Sequence, residues 1–276
     1  MIKFTKRKDI DIDKWDSIVA SSNKNAIFSY SWYLDAVSST WGVVHNSDWT
    51  ISMPISYKVF IFWIKVHPPL FSRNLSIFGN TQNADKLITF ALKNFWICHL
   101  KLDERCNLYK NKLIYQKIDL TEEIQYHKNT TRILKKNFNK YTFKKTKNYK
   151  YVLQFYYENA FKKLGLSSLQ KIKIQKLMTN AILKDKAEVI EVFDINLQRV
   201  GASFFLMDKN TVYYLVGDCD FEEKKGGLMF SLMDFAITEY KRNFSYFDFG
   251  GSNIESVATF YRKLGGKDYE YFEYIK

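Results

Sequence analysis

Proline is scarce in this chain of 276 residues, with 3, and glycine is modest, with 11. With 46% apolar residues, these numbers exclude a collagen-like, proline-rich or disordered polypeptide and indicate a folded globular protein of one large domain or two ordinary ones. Cysteine is scarcer in function than in number. Cys98, Cys106 and Cys219 are odd in count and lack CxxC spacing, which argues against a disulfide framework and a zinc site. The histidines, His45, His67, His99 and His127, stand singly without HxH or HxxxH spacing, so no metal site is expected. Long hydrophobic runs are missing too. The longest, residues 59–64, is far too short to span a bilayer and is expected to be a buried strand. The basic residues among 1–9 are not followed by an apolar stretch, so no secretory signal is expected and the location expected is cytoplasmic.

Aromatic residues and positive charge are abundant. Tyrosine (19) and phenylalanine (23) must supply much of the buried area, with tyrosine hydroxyls seeking polar partners or the rim of a cleft. The net charge of +13 fits an acidic partner such as tRNA, a nucleotide sugar or a membrane surface, and equally a solvated basic surface. Of the 42 basic residues only seven are arginine, the side chain best shaped for bidentate phosphate recognition.

Two mixed α/β halves are expected, 1–126 and 127–276. In the first, helices are predicted at 13–21, 31–38 and 83–94, and strands at 50–55, 59–66, 75–78, 95–100 and 113–118. The second opens on residues 128–150, which carry nine basic residues and no acid. There Arg132, Lys136 and Lys140 fall on one helical face and Leu134, Phe138 and Tyr141 on another, a basic amphipathic helix that serves either for packing or for phosphate docking. A helix over 154–164 ends at Gly165, and Ser167 or Ser168 caps the next, to about 183. The period then changes to that of strands at 189–193, 200–206 and 212–216, the last two joined by a turn at 208–210. A helix over 228–240 follows Gly226-Gly227, then a strand at 246–249, a helix at 255–264 and a strand at 269–274.

This order of elements resembles the second part of a GNAT acyltransferase domain, and local residues carry the resemblance further. Asn253, Ala258, the Phe260-Tyr261 pair and Lys263-Leu264-Gly265 are similar to the GNAT signature at the same offsets. The stretch from Tyr246 through Asp248 and Gly250-Gly251 to Ser252 resembles the aromatic-Asp-aromatic-Gly-Gly turn of the FemAB-like group. Gly201–Phe205, Tyr213-Tyr214 to Gly217, and an early segment with Phe28, Tyr30, Trp32 and Tyr33 extend that likeness over more of the chain. The resemblance implies an α/β (α+β) protein with a mixed β-sheet, built as two GNAT-like halves of which the C-terminal is better preserved.

It also implies acyl transfer to an amine. The GNAT pyrophosphate loop runs Arg or Gln, two residues, Gly, one residue, Gly or Ala, whereas Glu223-Lys224-Lys225-Gly226-Gly227-Leu228 puts an acid first and leucine last. Lys224, Lys225, Gly226 and Gly227 are the candidates for holding a phosphate, through backbone N–H groups at a helix start and lysine charge, with Glu223 opposing. By the same resemblance Tyr261 protonates the leaving group, or is a core ring beside Phe260. Backbone N–H groups on 200–206 stabilise the oxyanion. Asp248, buried in a strand, positions the acceptor amine or takes its proton, or else bonds its own turn. Asp218 and Asp220 face the same cleft or cap a loop. Trp32, Tyr33, Tyr214 and Ser252 are the candidates for the acceptor pocket.

Three functions follow. The first is an N-acyltransferase using acyl-CoA on an amino sugar, an amino acid or a peptide-like amine. The second is an aminoacyl-tRNA-dependent aminoacyltransferase of the FemAB-like kind in cell-wall synthesis. The third is an inert GNAT-fold binding module, since a fold does not establish activity.

Overall fold

A computed structural model describes residues 1–24, 26–161, 165, 167–251 and 253–276, with 160 and 161 described by backbone alone. The chain divides into two compact units, Met1–Ile114 with Glu270–Lys276, and Tyr115–Tyr269. The boundary thus falls ahead of the division expected at 126, and the C-terminal residues return to the first unit.

The first unit contains β1 (Ile2–Lys6), α1 (Ile12–Ser21), α2 (Ser31–Val37), β2 (Thr40–Asn46), β3 (Ile51–Val59), β4 (Ile64–Val66), β5 (Phe78–Gly79), α3 (Ala84–Asn94) and β6 (Ile97–Leu102). Its strands run β1-β2-β3-β4-β6, with β5 on β3 and the chain's last strand on β6. All pairs are antiparallel except β4 with β6. Helix α1 starts where the Asp11 carboxylate accepts from the Lys14 N–H at 3.1 Å. It buries Trp15 and Val19, one turn apart, and the Trp15 indole donates to the Ser29 carbonyl at 3.0 Å. From the same helix, Asp16 accepts from the Ser31 N–H (2.8 Å) and hydroxyl (2.6 Å), which anchors the start of α2.

The apolar run at 59–64 is not a buried strand. Lys58 pairs with Lys65 and Val59 with Ile64, and the Phe60 N–H donates to the Trp63 carbonyl at 2.9 Å, so the run is the tip of the β3–β4 hairpin. Ile61 is 90% exposed and Phe62 93%. Hydrophobicity without alternation does not distinguish a strand buried on both faces from a turn flanked by short strands.

β7 (Asn111–Asp119) carries the chain into the second unit. There α4 (Lys128–Lys136), β8 (Thr142–Thr146), α5 (Lys150–Tyr156), α6 (Ser168–Leu183), β9 (Ala187–Phe193), β10 (Arg199–Asp208) and β11 (Thr211–Cys219) lead to α7 (Phe221–Gly226), α8 (Leu228–Tyr240), β12 (Tyr246–Asp248), α9 (Glu255–Lys263) and β13 (Lys267–Ile275). The strand order is β7-β12-β11-β10-β9-β8, and only β11 and β12 are parallel. Phe205, Phe247, Phe249, Leu232, Ala236, Tyr240 and Tyr261 belong to the core of this unit. Ser167 caps α6 in a reciprocal capping box with Gln170, and Ile174, Leu177, Met178 and Ala181 recur at helical spacing on its buried face. The predicted end of the preceding helix at Leu164 lies outside the described residues.

The basic helix α4 is shorter than its sequence pattern. It ends at Asn137, and Asn139 takes a left-handed conformation (φ 60°), so Tyr141 is buried while Phe138 is 79% exposed. The expected face of Leu134, Phe138 and Tyr141 therefore does not form. Among the described residues no helix is long and apolar enough to cross a membrane.

Candidate active site

The site grows from a short strand pairing. β11 and β12 pair only from Thr211–Tyr246 to Tyr213–Asp248, after which β12 turns away at Gly250-Gly251. β11 continues to Cys219 paired with β10, so among the described residues 214–219 have no strand partner on the β12 side. Backbone amides at such an edge are available to a substrate. The 200–206 strand, expected to supply the oxyanion donors, lies inside the sheet. β10 is flanked by β9 and by β11, and its amides serve those ladders. The free edge belongs to β11.

Asp248, 2% exposed, closes the turn: its carboxylate accepts from the Gly250 N–H at 2.8 Å. Gly250 has φ +82°, and a Cβ there would stand 3.1 Å from the Tyr214 carbonyl oxygen, so the turn lies close against β11. The bond realises the turn-holding role foreseen for Asp248. Ser252, the acceptor-pocket candidate two residues on, lies outside the described residues.

Tyr261 comes from α9, where Ala258 and Tyr261 are the buried positions. Its ring stacks on Phe249, centroids 4.7 Å apart and planes 17° off parallel, and meets Tyr214 edge-on at 6.5 Å. Burial, and then the negative charge of Asp248, raise its pKa well above the ordinary tyrosine value. The phenol thus keeps its proton at neutral pH. Its hydroxyl has no hydrogen-bond partner among the described residues. Tyr214 is raised in the same way, chiefly by burial, and its hydroxyl donates to the Gly217 carbonyl at 3.0 Å, so it serves its own strand. Asp218, 4% exposed at the unpaired edge, accepts from the Cys219 N–H (2.9 Å) and from the Lys224 ammonium (2.7 Å).

The Glu223–Leu228 segment is built as a helix end. Phe221–Gly226 forms one turn with acids first (Glu222, Glu223) and lysines last (Lys224, Lys225), the order that complements a helix dipole. Gly227 terminates it in the left-handed conformation (φ 87°), its N–H donating to the Lys224 carbonyl at 3.1 Å. Glu223 accepts from Lys140 at 2.9 Å and from the Tyr141 hydroxyl, and these two bonds hold its carboxyl below the usual range. Lys224 is bound to Asp218, and Lys225 to Glu222 at 2.9 Å. Asn137 donates to the Gly226 carbonyl at 3.1 Å, while an Ile133 methyl group lies 2.6 Å from where a Gly227 Cβ would stand. Lys224, Lys225 and the Gly227 N–H, foreseen as part of a phosphate cradle, are thus engaged with the protein itself, while the start of α8 carries no side-chain cap. The contribution of Asn137 and Tyr141 left no motif in the sequence.

Other chemistry is limited. Burial pushes the Cys219 thiol up to about 12, so it is no thiolate at neutral pH. Among the described residues no group of His, Cys, Asp and Glu is arranged to hold a metal. In the first unit, Trp32 (8% exposed) and Tyr33 (0%) are packed into the core, the Tyr33 hydroxyl donating to the Phe71 carbonyl at 2.7 Å. Both rings serve the packing of that unit.

No family model matches the sequence, and no curated protein is significantly similar to it. Solved structures do match, over nearly the whole chain. FemX is 9% identical with a TM-score of 0.66, covering 99% of this chain and 97% of its own. L-PGS from Bacillus licheniformis is 14% identical with a TM-score of 0.60, covering 95% and 91%. A tandem GNAT protein from the clavulanic acid biosynthesis pathway is 10% identical with a TM-score of 0.52, covering 100% and 98%. The fold is of the tandem GNAT type that these structures share. Two places in the second unit differ in their bonding: past Tyr213 the β11 edge has no strand partner on the β12 side among the described residues, whereas the lysines and glutamate of the turn before α8 are paired within the protein.

Proposed function

We propose that the chain is an acyltransferase that moves an aminoacyl group from tRNA to an amine, in preference to an acyl group from coenzyme A. The observation that carries this reading is the turn at 221–227, whose lysines, glutamate and Gly227 amide are bound within the protein and so are not free to hold a pyrophosphate. The nine basic residues of 128–150 and the net charge of +13 suit a polyanionic donor. The likeness to FemX and L-PGS supports the same class of reaction.

In this mechanism the neutral amine attacks the ester carbonyl of the donor. The C–N bond forms, the carbonyl oxygen gains negative charge, and N–H groups of the 214–219 edge stabilise it. The C–O bond to the tRNA ribose then breaks, the Tyr261 phenol gives its proton to the leaving oxygen, and the proton lost by the amine restores the phenol. Asp248 acts as a positioning residue through Gly250 and keeps Tyr261 protonated. Positioning of amine and ester supplies much of the rate, so no covalent nucleophile is required.

The test uses the full chain, a tRNA pool charged with labelled amino acids, and glucosamine or hydroxylamine as the amine. Label is expected to leave the tRNA in an enzyme-dependent manner and to slow with Tyr261→Phe. Transfer from acetyl-CoA without transfer from tRNA would overturn the choice of donor. The 7% exposure of Tyr261 favours a second reading, an inert binding module, and absence of transfer from either donor would select it.

A further inference from the structure

The tip of the β3–β4 hairpin is an apolar projection left uncovered by the described residues. Val59 is 64% exposed, Phe60 43%, Ile61 90% and Phe62 93%. The tip is nonetheless ordered: Phe60 and Trp63 stack at 4.1 Å with planes 11° apart, above the N–H to carbonyl bond that closes the turn. β4 and β6 are parallel with Lys65 opposite Ile97, so Trp96, 73% exposed, comes level with Ile64 at the base of the hairpin. Two tryptophans and a phenylalanine pair therefore gather at one end of the first unit's sheet.

Charge at this end has one predominant sign. Lys58 and Lys65 face each other across the base of the tip, and Lys93 lies in the last turn of α3, shortly before Trp96. No acidic residue occurs between Asp48 and Asp85. The acids that the end of β1 and α2 bring to the same end are Asp9 and Asp35, and Asp35 is held by Arg7 at 2.9 Å. Exposed apolar side chains ringed by lysine mark an interaction surface. Aromatic rings flanked by lysines suit the boundary between hydrocarbon and headgroups, and the charge selects anionic lipid.

We propose that the hairpin tip at 59–63, with Trp96 beside its base, docks the protein on an anionic lipid bilayer, inserting Phe60, Ile61, Phe62 and Trp63 at the interface while Lys58, Lys65 and Lys93 meet the headgroups. The tip is a projection, which fits a deformable lipid surface better than a preformed groove. The inference is independent of the donor and acceptor of any transfer reaction.

The experiment is co-sedimentation of the full chain with vesicles of equimolar phosphatidylglycerol and phosphatidylcholine, set against phosphatidylcholine alone. The wild type is expected to pellet with the anionic vesicles. The pair Ile61→Asp and Phe62→Asp is expected to abolish pelleting without changing the thermal midpoint, because both residues are at least 90% exposed. Lys58→Glu with Lys65→Glu is expected to weaken binding by about tenfold or more, and salt to weaken it in the wild type. Brominated lipid is expected to quench tryptophan emission in the wild type and not in the aspartate pair. Failure of the wild type to bind either vesicle, or equal binding by the aspartate pair, would overturn the proposal. A concentration-dependent dimer dissolved by the aspartate pair, without vesicle binding, would assign the tip to a second copy of the chain instead.

Discussion

Gly226-Gly227 and Gly250-Gly251 are two glycine pairs in one unit, each preceded by charged residues and each followed within a few residues by a helix. The first pair ends α7, and the side chains around it, Glu223, Lys224 and Asn137, are bonded to groups of the same unit. The second lets β12 leave β11, with Asp248 tying the turn and the edge at 214–219 left without a strand partner among the described residues. A glycine pair before a helix is thus not in itself a phosphate loop. What decides is whether the neighbouring charged side chains are spent, and here Lys224 and Lys225 are paired with Asp218 and Glu222.

Substitutions sharpen this contrast. The largest effect is expected at the open turn: Tyr261→Phe should slow transfer by roughly a hundredfold to ten-thousandfold, the range of general acid catalysis. Its unfolding midpoint should stay unchanged, because the hydroxyl has no bond to lose among the described residues. A fall in stability with no change in transfer would make Tyr261 a packing residue only. At the closed turn the order reverses. Gly227→Ala combines a left-handed φ with a Cβ 2.6 Å from the Ile133 methyl group, and should cost about 2–3 kcal/mol in denaturant unfolding. Gly250→Ala should cost less, about 1–2 kcal/mol for the left-handed conformation. It should reduce transfer more than Gly227→Ala does, since its Cβ would crowd the Tyr214 carbonyl. Equal effects of both alanines on transfer would erase the contrast.

The smallest expected effect is electrostatic. Because Tyr141 and Lys140 lower the Glu223 pKa in the folded protein, Glu223 contributes stability above the unfolded glutamate value of about 4.3 and loses it as pH falls through the lower folded value. Glu223→Gln should therefore destabilise by under about 1 kcal/mol at neutral pH, given a partly exposed pair. It should also flatten the acid loss of stability. An unchanged acid limb would detach Glu223 from the closed turn.

Much of this arrangement was legible in the residues. The α8 helix begins and ends where its apolar pattern does, Ser167 caps α6, and the GNAT-like frame follows from Tyr246 to Gly265. The misreadings have physical causes. Residues 59–64 are uniformly apolar, and periodicity is silent about which way such a run faces. The helical pattern past Asn137 failed because Tyr141 finds Glu223 and a left-handed Asn139 turns the chain. The free edge of β11 and the engagement of Lys224 by Asp218 are tertiary facts that no local spacing encodes. Trp32 and Tyr33 illustrate the reverse: aromatic residues that suggest a pocket from sequence, and that fill a core.

The most direct test of the closed turn is a calorimetric titration of the full chain with acetyl-CoA at moderate salt, run beside charged tRNA. The expected result is no heat and no thermal stabilisation with acetyl-CoA even at millimolar concentration, while tRNA binds with a steep salt dependence. Saturable micromolar binding of acetyl-CoA, abolished by Gly227→Ala, would contradict the account and return the 223–228 segment to the role of a phosphate loop.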